Sequence, residues 1–541
     1  MHSFLRPGSI AVVVASRNPD SIGGRVLANL AGTGFKGSLY AVNPAGGELL
    51  GLPVHTSVAD IPGPVELALV VVPKLAVAQV ARECAAKGVR SMVVISSGFA
   101  ETGAEGIRRQ AELLEICRAA GMRLIGPNCM GIVNTDPQVL LNASFGPIFP
   151  PAGRVGFLSQ SGALGLAVID YAQGLGIGIS SFVSVGNKAD ISGNDLLQYW
   201  EEDPGTDVCV LYLESFGNPR KFARVARRVS RRKPIVAVKS GRSAAGTRAT
   251  SSHTGALLAA SDVTVDALFR QAGVTRTDTL AELFDAVRLL ANQPLPKGRK
   301  VGIVTNAGGP GIMCSDACEA AGLEVVELSA GLRERIGGLL PAEASTANPV
   351  DMIASATPPQ YRAVLEEVAA SGEVDAVIVI FIPPLAVASR QVASAIRKAR
   401  VPSDLTMLCV FMSSQRVPDL EPIPTYAFPE DAARALSHAA HYATWRSSPE
   451  GSFPRLTGIR PDEAKLILAT SLAGGAGWME PAAILRLLDC YGLSPVRSEV
   501  VDSPAAAARA AQRLGGAVAL KAVAPGLLHK TEAGAVRLGL R

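Results

Sequence analysis

Arg154-Val155-Gly156-Phe157-Leu158-Ser159-Gln160-Ser161-Gly162-Ala163-Leu164 is the stretch that decides the fold. Val155 to Leu158 is a short apolar run with the length of a buried strand. Ser159-Gln160-Ser161-Gly162 is a tight loop of small and polar residues, and a helical run follows. Strand, small-residue loop and helix in that order form the unit of a parallel sheet with crossover helices. The order returns at Val301 to Thr305, where Asn306-Ala307-Gly308-Gly309-Pro310-Gly311 leads into another helix. The two openings are alike enough to predict two similar domains, although their identities are too few to define a sequence repeat.

Working outward, Ile10 to Ala15 reads as a buried strand, Ser16-Arg17-Asn18-Pro19 as a turn, and Ile22 to Leu30 as a helix. Leu67 to Val72, Ser91 to Ile95 and Arg123 to Ile125 add strands, and Pro150-Pro151-Ala152-Gly153 breaks the chain. Val208 to Leu213 and Ile235 to Val238 continue the second unit. That unit closes with a helix at Ala281 to Asn292 and with Pro294-Leu295-Pro296. Ser447 to Gly458 is rich in Ser, Pro and Gly and reads as a linker. Beyond it, Ala482 to Tyr491 and Pro504 to Leu514 are helical, Arg497 to Val501 is strand-like, and Ala517 to Ala522 is a strand carrying Lys521. The predicted class is α/β, with units at 1–150, 151–295 and 296–446, a linker at 447–478, and a last unit at 479–541. A typical domain holds roughly 100–150 residues, so this last unit reads as incomplete.

Composition narrows the function. The 541 residues are 48% hydrophobic and 5% aromatic with 54 Gly and 36 Pro, a mix that suits Ala/Val/Gly-rich α/β domains with many turns. A formal net charge of +5 is small for this length, and the one basic block, Arg224 to Lys233, reads as the exposed face of a helix. Neither nucleic-acid nor membrane electrostatics is implied. Met1 to Gly8 does not read as a signal peptide, and the expected location is the cytoplasm. Eight cysteines occur without a Cys-x-x-Cys pair, which predicts thiols in a reducing compartment. Cys314 and Cys318 could share a helix face, but two thiols alone make a poor metal site.

The loops carry the chemistry. Unpaired N–H groups at a helix start attract anions, and the helix dipole adds to the attraction. Ser159, Gln160, Ser161 and Gly162 form one such start, and Asn306, Gly308, Gly309 and Gly311 form another. Gly in either place has a steric explanation as well. Glu214 ends the strand Val208 to Leu213, where ligand sites of parallel sheets gather. It could accept an imidazole N–H, and it reads equally as a solvated strand-end acid. Ser251-Ser252-His253-Thr254-Gly255-Ala256-Leu257 sets one of only six histidines among small residues with no apolar periodicity. That setting is poor for core packing and good for a group carrier. His438 and His441, at i and i+3, read as surface or packing residues.

Taken together, these segments resemble the NDP-forming acyl-CoA synthetases, a family that includes ADP-forming acetate–CoA ligases and succinyl-CoA synthetase. The resemblance rests on Ser16 to Gly24, Gly126-Pro127-Asn128-Cys129-Met130-Gly131, Ser159 to Leu164 and Gly186-Asn187-Lys188-Ala189-Asp190. It continues through Leu213-Glu214-Ser215-Phe216, Ser252 to Ala256, Asn306 to Gly311 and Asn348-Pro349-Val350-Asp351, in the family's order. It implies a Rossmann-like CoA-binding domain, two flavodoxin-like domains and the start of an ATP-grasp domain. It implies a reversible ligation of a carboxylic acid to CoA, driven by ATP, through an acyl phosphate and a phosphohistidine. His253 matches the phosphorylated histidine and Glu214 the acid beside it. The two helix starts match those that hold the phosphoryl group. Ser16, Arg17, Asn18, Pro19 and Asn128 would lie by CoA. Lys521 resembles a nucleotide-binding lysine, and His529 a second relay histidine. The implied ligands are CoA, ATP or ADP, and Mg2+, whose acidic ligands are expected beyond Arg541, with no metal ligands in this chain. Implied partners are a small carboxylic acid or acyl-CoA, with a homo-oligomer or a second chain completing the ATP-grasp domain.

Two departures from the family pattern matter. Val14 stands where family members usually have Gly, which predicts a crowded approach for the phosphates of CoA or a small shift of the loop. The short last unit leaves a rival reading, a CoA-binding regulatory or non-catalytic module without nucleotide turnover. A nicotinamide dehydrogenase is disfavoured, because no Gly-x-Gly-x-x-Gly fingerprint follows the first strand. The identity of the acid and the choice between ATP and GTP are not legible in the sequence.

Overall fold

The computed structural model describes residues 1–14, 16, 18, 20–243, 245–246, 262–383, 389–412, 414–452, 454–475, 477–524, 527 and 529–540. The chain forms two compact units, Met1–Ser448 and Pro449–Arg541. Three mainly parallel sheets build the larger one. The first orders its strands Glu48–Leu49, Leu52–His55, Ser38–Val42, Ser9–Val13, Leu67–Val70, Ser91–Val94 and Arg123–Ile125. Every residue of Ser9–Val13, Leu67–Val70 and Ser91–Val94 is buried. Helices cover both faces of a parallel sheet, so these strands read as continuous apolar runs rather than alternating ones.

The second sheet runs Val274–Thr277, Ile235–Lys239, Val208–Leu213, Ala152–Ser159, Ile179–Ser184, Gly131–Asn134 and Leu141–Ser144. Its last two strands come from before residue 150 and pair antiparallel, Gly131–Asn134 against Ile179–Ser184 and Leu141–Ser144 against Gly131–Asn134. Neither of these two strands is among those read from the sequence. The third sheet orders Glu324–Val325, Lys300–Thr305, Ala376–Phe381, Thr406–Phe411 and Thr425–Tyr426, with Val350–Asp351 paired to Lys300–Thr305.

In all three sheets the strand that comes first among the parallel ones lies inside, with the chain turning to one side of it and then to the other. Ser9–Val13, Ala152–Ser159 and Lys300–Thr305 therefore each end at a topological switch point. The crevice beyond such a strand end is where open α/β sheets bind ligands.

The helix Pro219–Ser230 buries Phe222, Val225, Ala226 and Val229 and turns its arginines outward, as the basic block predicted. All eight cysteines are buried free thiols, as expected for core residues. Mutual hydrogen bonding with Cys318 and burial push the Cys314 thiol far up, so this pair is a packing feature. No helix among the described residues is long and apolar enough to cross a membrane.

In the smaller unit, helices Pro461–Ala473 and Pro481–Asp489 pack around Ala464, Ile467 and Cys490. Helix Pro504–Leu514 follows, and Val518–Lys521 pairs antiparallel with Val536–Leu540. Arg497 to Val501, predicted as a strand, is not one. Its Val500 is 66% exposed and the segment has no partner strand, and β-branched content alone does not make a ladder.

Candidate active site

The loop after Ala152–Ser159 is fastened by its own polar residues. The Ser159 hydroxyl donates to the Ser161 carbonyl at 2.7 Å, and the Ser161 hydroxyl accepts from the Leu164 N–H at 3.4 Å, capping helix Gly162–Gly174. Gln160 is 7% exposed and reaches across to the neighbouring strand end. Its Oε1 accepts from the N–H groups of Glu214 and Ser215, and its Nε2 donates to the Ser215 carbonyl at 2.7 Å. Gln160 thus sets the backbone that carries Glu214. The Oε2 atom of Glu214 is buried and has no hydrogen-bond partner among the described residues. A buried carboxylate oxygen without a donor is costly and calls for a function.

Two lysines that the sequence reading passed over flank this acid. Lys188 donates to the Ser215 carbonyl at 2.8 Å and to the Ser215 hydroxyl at 2.7 Å. Burial pushes its ammonium down to about 8, against the opposing pull of Glu214 and with Lys239 adding to the shift. Lys239, the last residue of Ile235–Lys239, is lowered by burial as well, against Asp262 and Glu214 and with help from Arg276. The rule that picked out Glu214, a charged residue ending an apolar strand, would have found Lys239. The strand had been read as stopping at Val238.

Lys188 sits in a turn that requires its glycine. Gly186 has φ 51°, and a Cβ there would meet the Pro127 carbonyl oxygen at 2.3 Å. Asn128, at φ 60°, donates through Nδ2 to Asn187 Oδ1 at 3.3 Å. Asn187 in turn donates to Glu101 at 2.5 Å and to Gln110 at 3.0 Å. Burial opposes ionisation of Glu101, yet hydrogen bonds from Asn187 and from the Gly98 and Phe99 N–H groups outweigh it and hold the carboxyl below its usual range. Asn128 is thereby tied to the turn that carries Lys188.

The loop after Lys300–Thr305 repeats the first plan. The Thr305 hydroxyl donates to the Ala307 carbonyl at 2.9 Å. Asn306, 2% exposed, accepts from the Ile382 N–H at 2.9 Å and donates to the Ile382 carbonyl at 2.8 Å. Helix Gly308–Ala320 has Ala307 at its N-cap and no side-chain cap, Gly308 and Gly309 are exposed, and a Cβ on Gly311 would press Thr305 Cγ2 at 3.1 Å. Among the described residues no hydrogen bond joins this loop to the one at Ser159–Gly162.

In the first sheet, the Asn18 N–H donates to the Ser16 hydroxyl at 3.1 Å, and Ser21 caps helix Ile22–Gly32 through the Gly24 N–H at 3.1 Å. A Cβ on Gly24 would lie 2.2 Å from the Asn18 carbonyl oxygen, so only Gly fits. Val14 has φ 62°, the conformation Gly adopts freely and a β-branched residue rarely does. Among the described residues no hydrogen bond links Asn128 to Ser16 or Asn18. Arg17, Pro19 and His253 lie outside the described residues. His438 is 2.7 Å from Glu282, an ion-pair geometry, and burial lowers His441, so both serve packing. In the smaller unit, Lys521 and His529 line one open cleft of about 520 Å³ together with Lys530, Thr531 and Glu532.

Four family profiles match in sequence along the chain: a CoA binding domain at 8–135, a succinyl-CoA ligase like flavodoxin domain at 152–290, a ligase-CoA domain at 301–406 and an ATP-grasp domain at 470–541. An ADP-forming acetate–CoA ligase I of Archaeoglobus fulgidus is 36% identical over 549 residues, covering 100% of this chain and 78% of that relative. The chain belongs to the family of ADP-forming acid–CoA ligases. The α subunit of an ADP-forming acetate–CoA ligase II of Pyrococcus furiosus is 40% identical over 442 residues, 80% of this chain and 95% of that subunit. Among solved structures, a dinucleotide-forming acetyl-coenzyme A synthetase 1 of Ca. Korarchaeum cryptofilum, in complex with phosphate and ADP, matches with a TM-score of 0.77 and 35% identity. It covers 82% of this chain and 97% of that one. This ligase family binds CoA and adenine nucleotide, and the α/β architecture with its ATP-grasp portion is the one the sequence implied.

Proposed function

We propose that the chain joins a small carboxylic acid to CoA at the expense of ATP, reversibly, and that Glu214 and His253 carry the phosphoryl transfer. The observation behind this is the buried Oε2 of Glu214, beside the switch point of the second sheet, which has no hydrogen-bond donor among the described residues. His253 supplies one. The chain on either side of residues 247–261 returns to one place: Arg242 is 3.7 Å from Asp262, which is also held by Arg276. That place adjoins Lys239, on the strand next to Val208–Leu213.

In the thioester-to-ATP direction, a phosphate oxygen attacks the acyl carbonyl and the C–S bond breaks, giving acyl phosphate and CoA thiol. A neutral imidazole nitrogen of His253 then attacks phosphorus, and the P–O bond to the acyl group breaks to release the carboxylate. The ring becomes cationic, and Glu214 accepts its other N–H and stabilises that charge. The N–H groups at the start of Gly162–Gly174 face the phosphoryl oxygens without reorganisation. The phosphoryl group finally passes to ADP, with His529 assigned as a second relay histidine and Lys521 at the nucleotide. The helix start at Asn306–Gly311 is assigned as a second phosphoryl cradle, and Ser16, Arg17, Asn18, Pro19 and Asn128 as the CoA contacts.

Mg2+ would offset phosphate charge on the nucleotide. Among the described residues no group of three or more His, Cys, Asp or Glu side chains is placed to hold it. The relative named as an α subunit supports a second chain as partner, and a cytoplasmic location suits the reaction. Relatives aligned over the whole chain are named as ligases, which favours catalysis over the regulatory-module reading. The test is a nucleotide-free incubation with radiolabelled phosphate and a panel of short-chain and aryl acyl-CoA thioesters. An acid-labile, base-stable protein label is expected with at least one thioester, absent in His253→Ala and retained in His441→Ala. No label with any thioester would leave only the binding module.

A further inference from the structure

Lysine is seldom buried without a purpose, because its ammonium loses hydration there. Lys188 is half-buried, and its ammonium is committed to the backbone and hydroxyl of Ser215 rather than to an acid. Lys239 is likewise tied to the Ser240 carbonyl. Both cations act electrostatically on Glu214, yet among the described residues no ion pair joins either of them to it. A direct ion pair would occupy the oxygens that an imidazole needs. A buried carboxylate oxygen still needs compensating charge nearby. Cations tethered to one side meet both demands.

On the reading that His253 is the phosphoryl carrier, we propose that Lys188 is a positioning residue of the phosphoryl-transfer centre. It fixes the Ser215 turn that aims Glu214, and it supplies positive charge while leaving Glu214 Oε2 open to the imidazole. The charged groups facing it are Glu214 on the adjoining strand end and Lys239 beyond, which itself faces Asp262 and Arg276. Within its own turn, Asp190 is engaged by Arg123 at 2.7 Å.

The experiment measures the rate of phosphohistidine formation from acyl-CoA and phosphate between about pH 6 and about pH 10, a window that brackets the lysine titration, for wild type, Lys188→Met and Lys188→Arg. In wild type the rate should fall as pH rises through about 8, as Lys188 loses its proton. Lys188→Arg should keep a measurable rate and lose that fall, since a guanidinium stays charged. Lys188→Met should lose about 100-fold in rate at neutral pH with the KM for acyl-CoA unchanged. A lysine that merely braces the fold would leave the pH profile of Lys188→Arg like that of wild type, and that result overturns the proposal even if Lys188→Met fails to fold. A wild-type protein that never labels refutes the carrier reading itself, and is told apart from a labelled wild type with an unaltered variant profile.

Discussion

The loops at Ser159–Gly162 and Asn306–Gly311 share one plan and are finished differently. In both, the last hydroxyl of the strand donates to the carbonyl two residues on, and the next residue is a buried amide that bonds the end of the adjacent strand. The first loop then adds Glu214, Lys188 and Lys239, and its helix is capped by Ser161. The second has the Asp351 carboxylate beside Gly308, and its helix begins after Ala307 with no side-chain cap and with exposed glycines. The shared part is a scaffold for a strand end. What distinguishes the loops is what stands beside each: an acid flanked by two lysines at the first, and the Asp351 carboxylate beside an uncapped helix start at the second.

The largest effect should come from removing the carboxylate that adjoins the first loop. Glu214→Gln is expected to slow phosphohistidine formation about 100- to 1,000-fold, by analogy with losing one preorganised electrostatic partner, while Tm hardly moves. Rapid-quench labelling and a thermal melt measure the two together. Next come the paired amides. Gln160→Ala strands the Glu214 and Ser215 N–H groups, and Asn306→Ala strands the N–H and carbonyl of Ile382. Each buried orphan costs about 1–3 kcal/mol, so urea unfolding should show both variants destabilised. Gln160→Ala should also abolish labelling, because it releases Glu214, whereas Asn306→Ala, which loosens the second cradle, should only slow it. Equal activity losses in the two would erase the distinction between the loops.

A smaller, reciprocal pair tests the caps. Ser161→Ala should lose about 0.5–2 kcal/mol with its cap. Ala307→Ser should gain less than that, because Pro310 stands where Leu164 donates in the first helix and leaves only the Gly309 N–H for a new hydroxyl. Phosphate protection of this variant in thermal melts should weaken to the extent that this N–H is taken. The smallest effect is one of pH on stability. Burial depresses Lys188 from 10.5 to about 8 in the folded chain, so the unfolded chain binds more protons between those values. Stability should therefore rise with pH across that window. Lys188→Met should flatten this slope, as followed by denaturant midpoints at fixed ionic strength.

The strands that build both switch points were legible because burial on two faces leaves continuous apolar runs. Val208–Leu213 and Arg123–Ile125 were read to the residue. Gln160, Asn306 and Glu214 were legible from their place after strand ends. Lys188 was not, because its part depends on a turn forced by Gly186 against Pro127, a contact across 59 residues that no periodicity announces. The strands Gly131–Asn134 and Leu141–Ser144 escaped for a related reason: they complete a sheet whose other strands come later in the sequence. Val14 was noted as a departure from Gly, and the structure supplies the cause for concern, a left-handed backbone at a β-branched residue. Such a conformation costs of order 1–3 kcal/mol, so Val14→Gly offers relief in the loop assigned to CoA.

The most direct test maps the labelled residue by mass spectrometry under alkaline handling, after wild type and Glu214→Gln have been mixed with acyl-CoA and phosphate. The expected result is phosphate on His253 in wild type, and the same site filled far more slowly in Glu214→Gln. Phosphate on a different residue, or His253 filled at the wild-type rate without the Glu214 carboxylate, would contradict it.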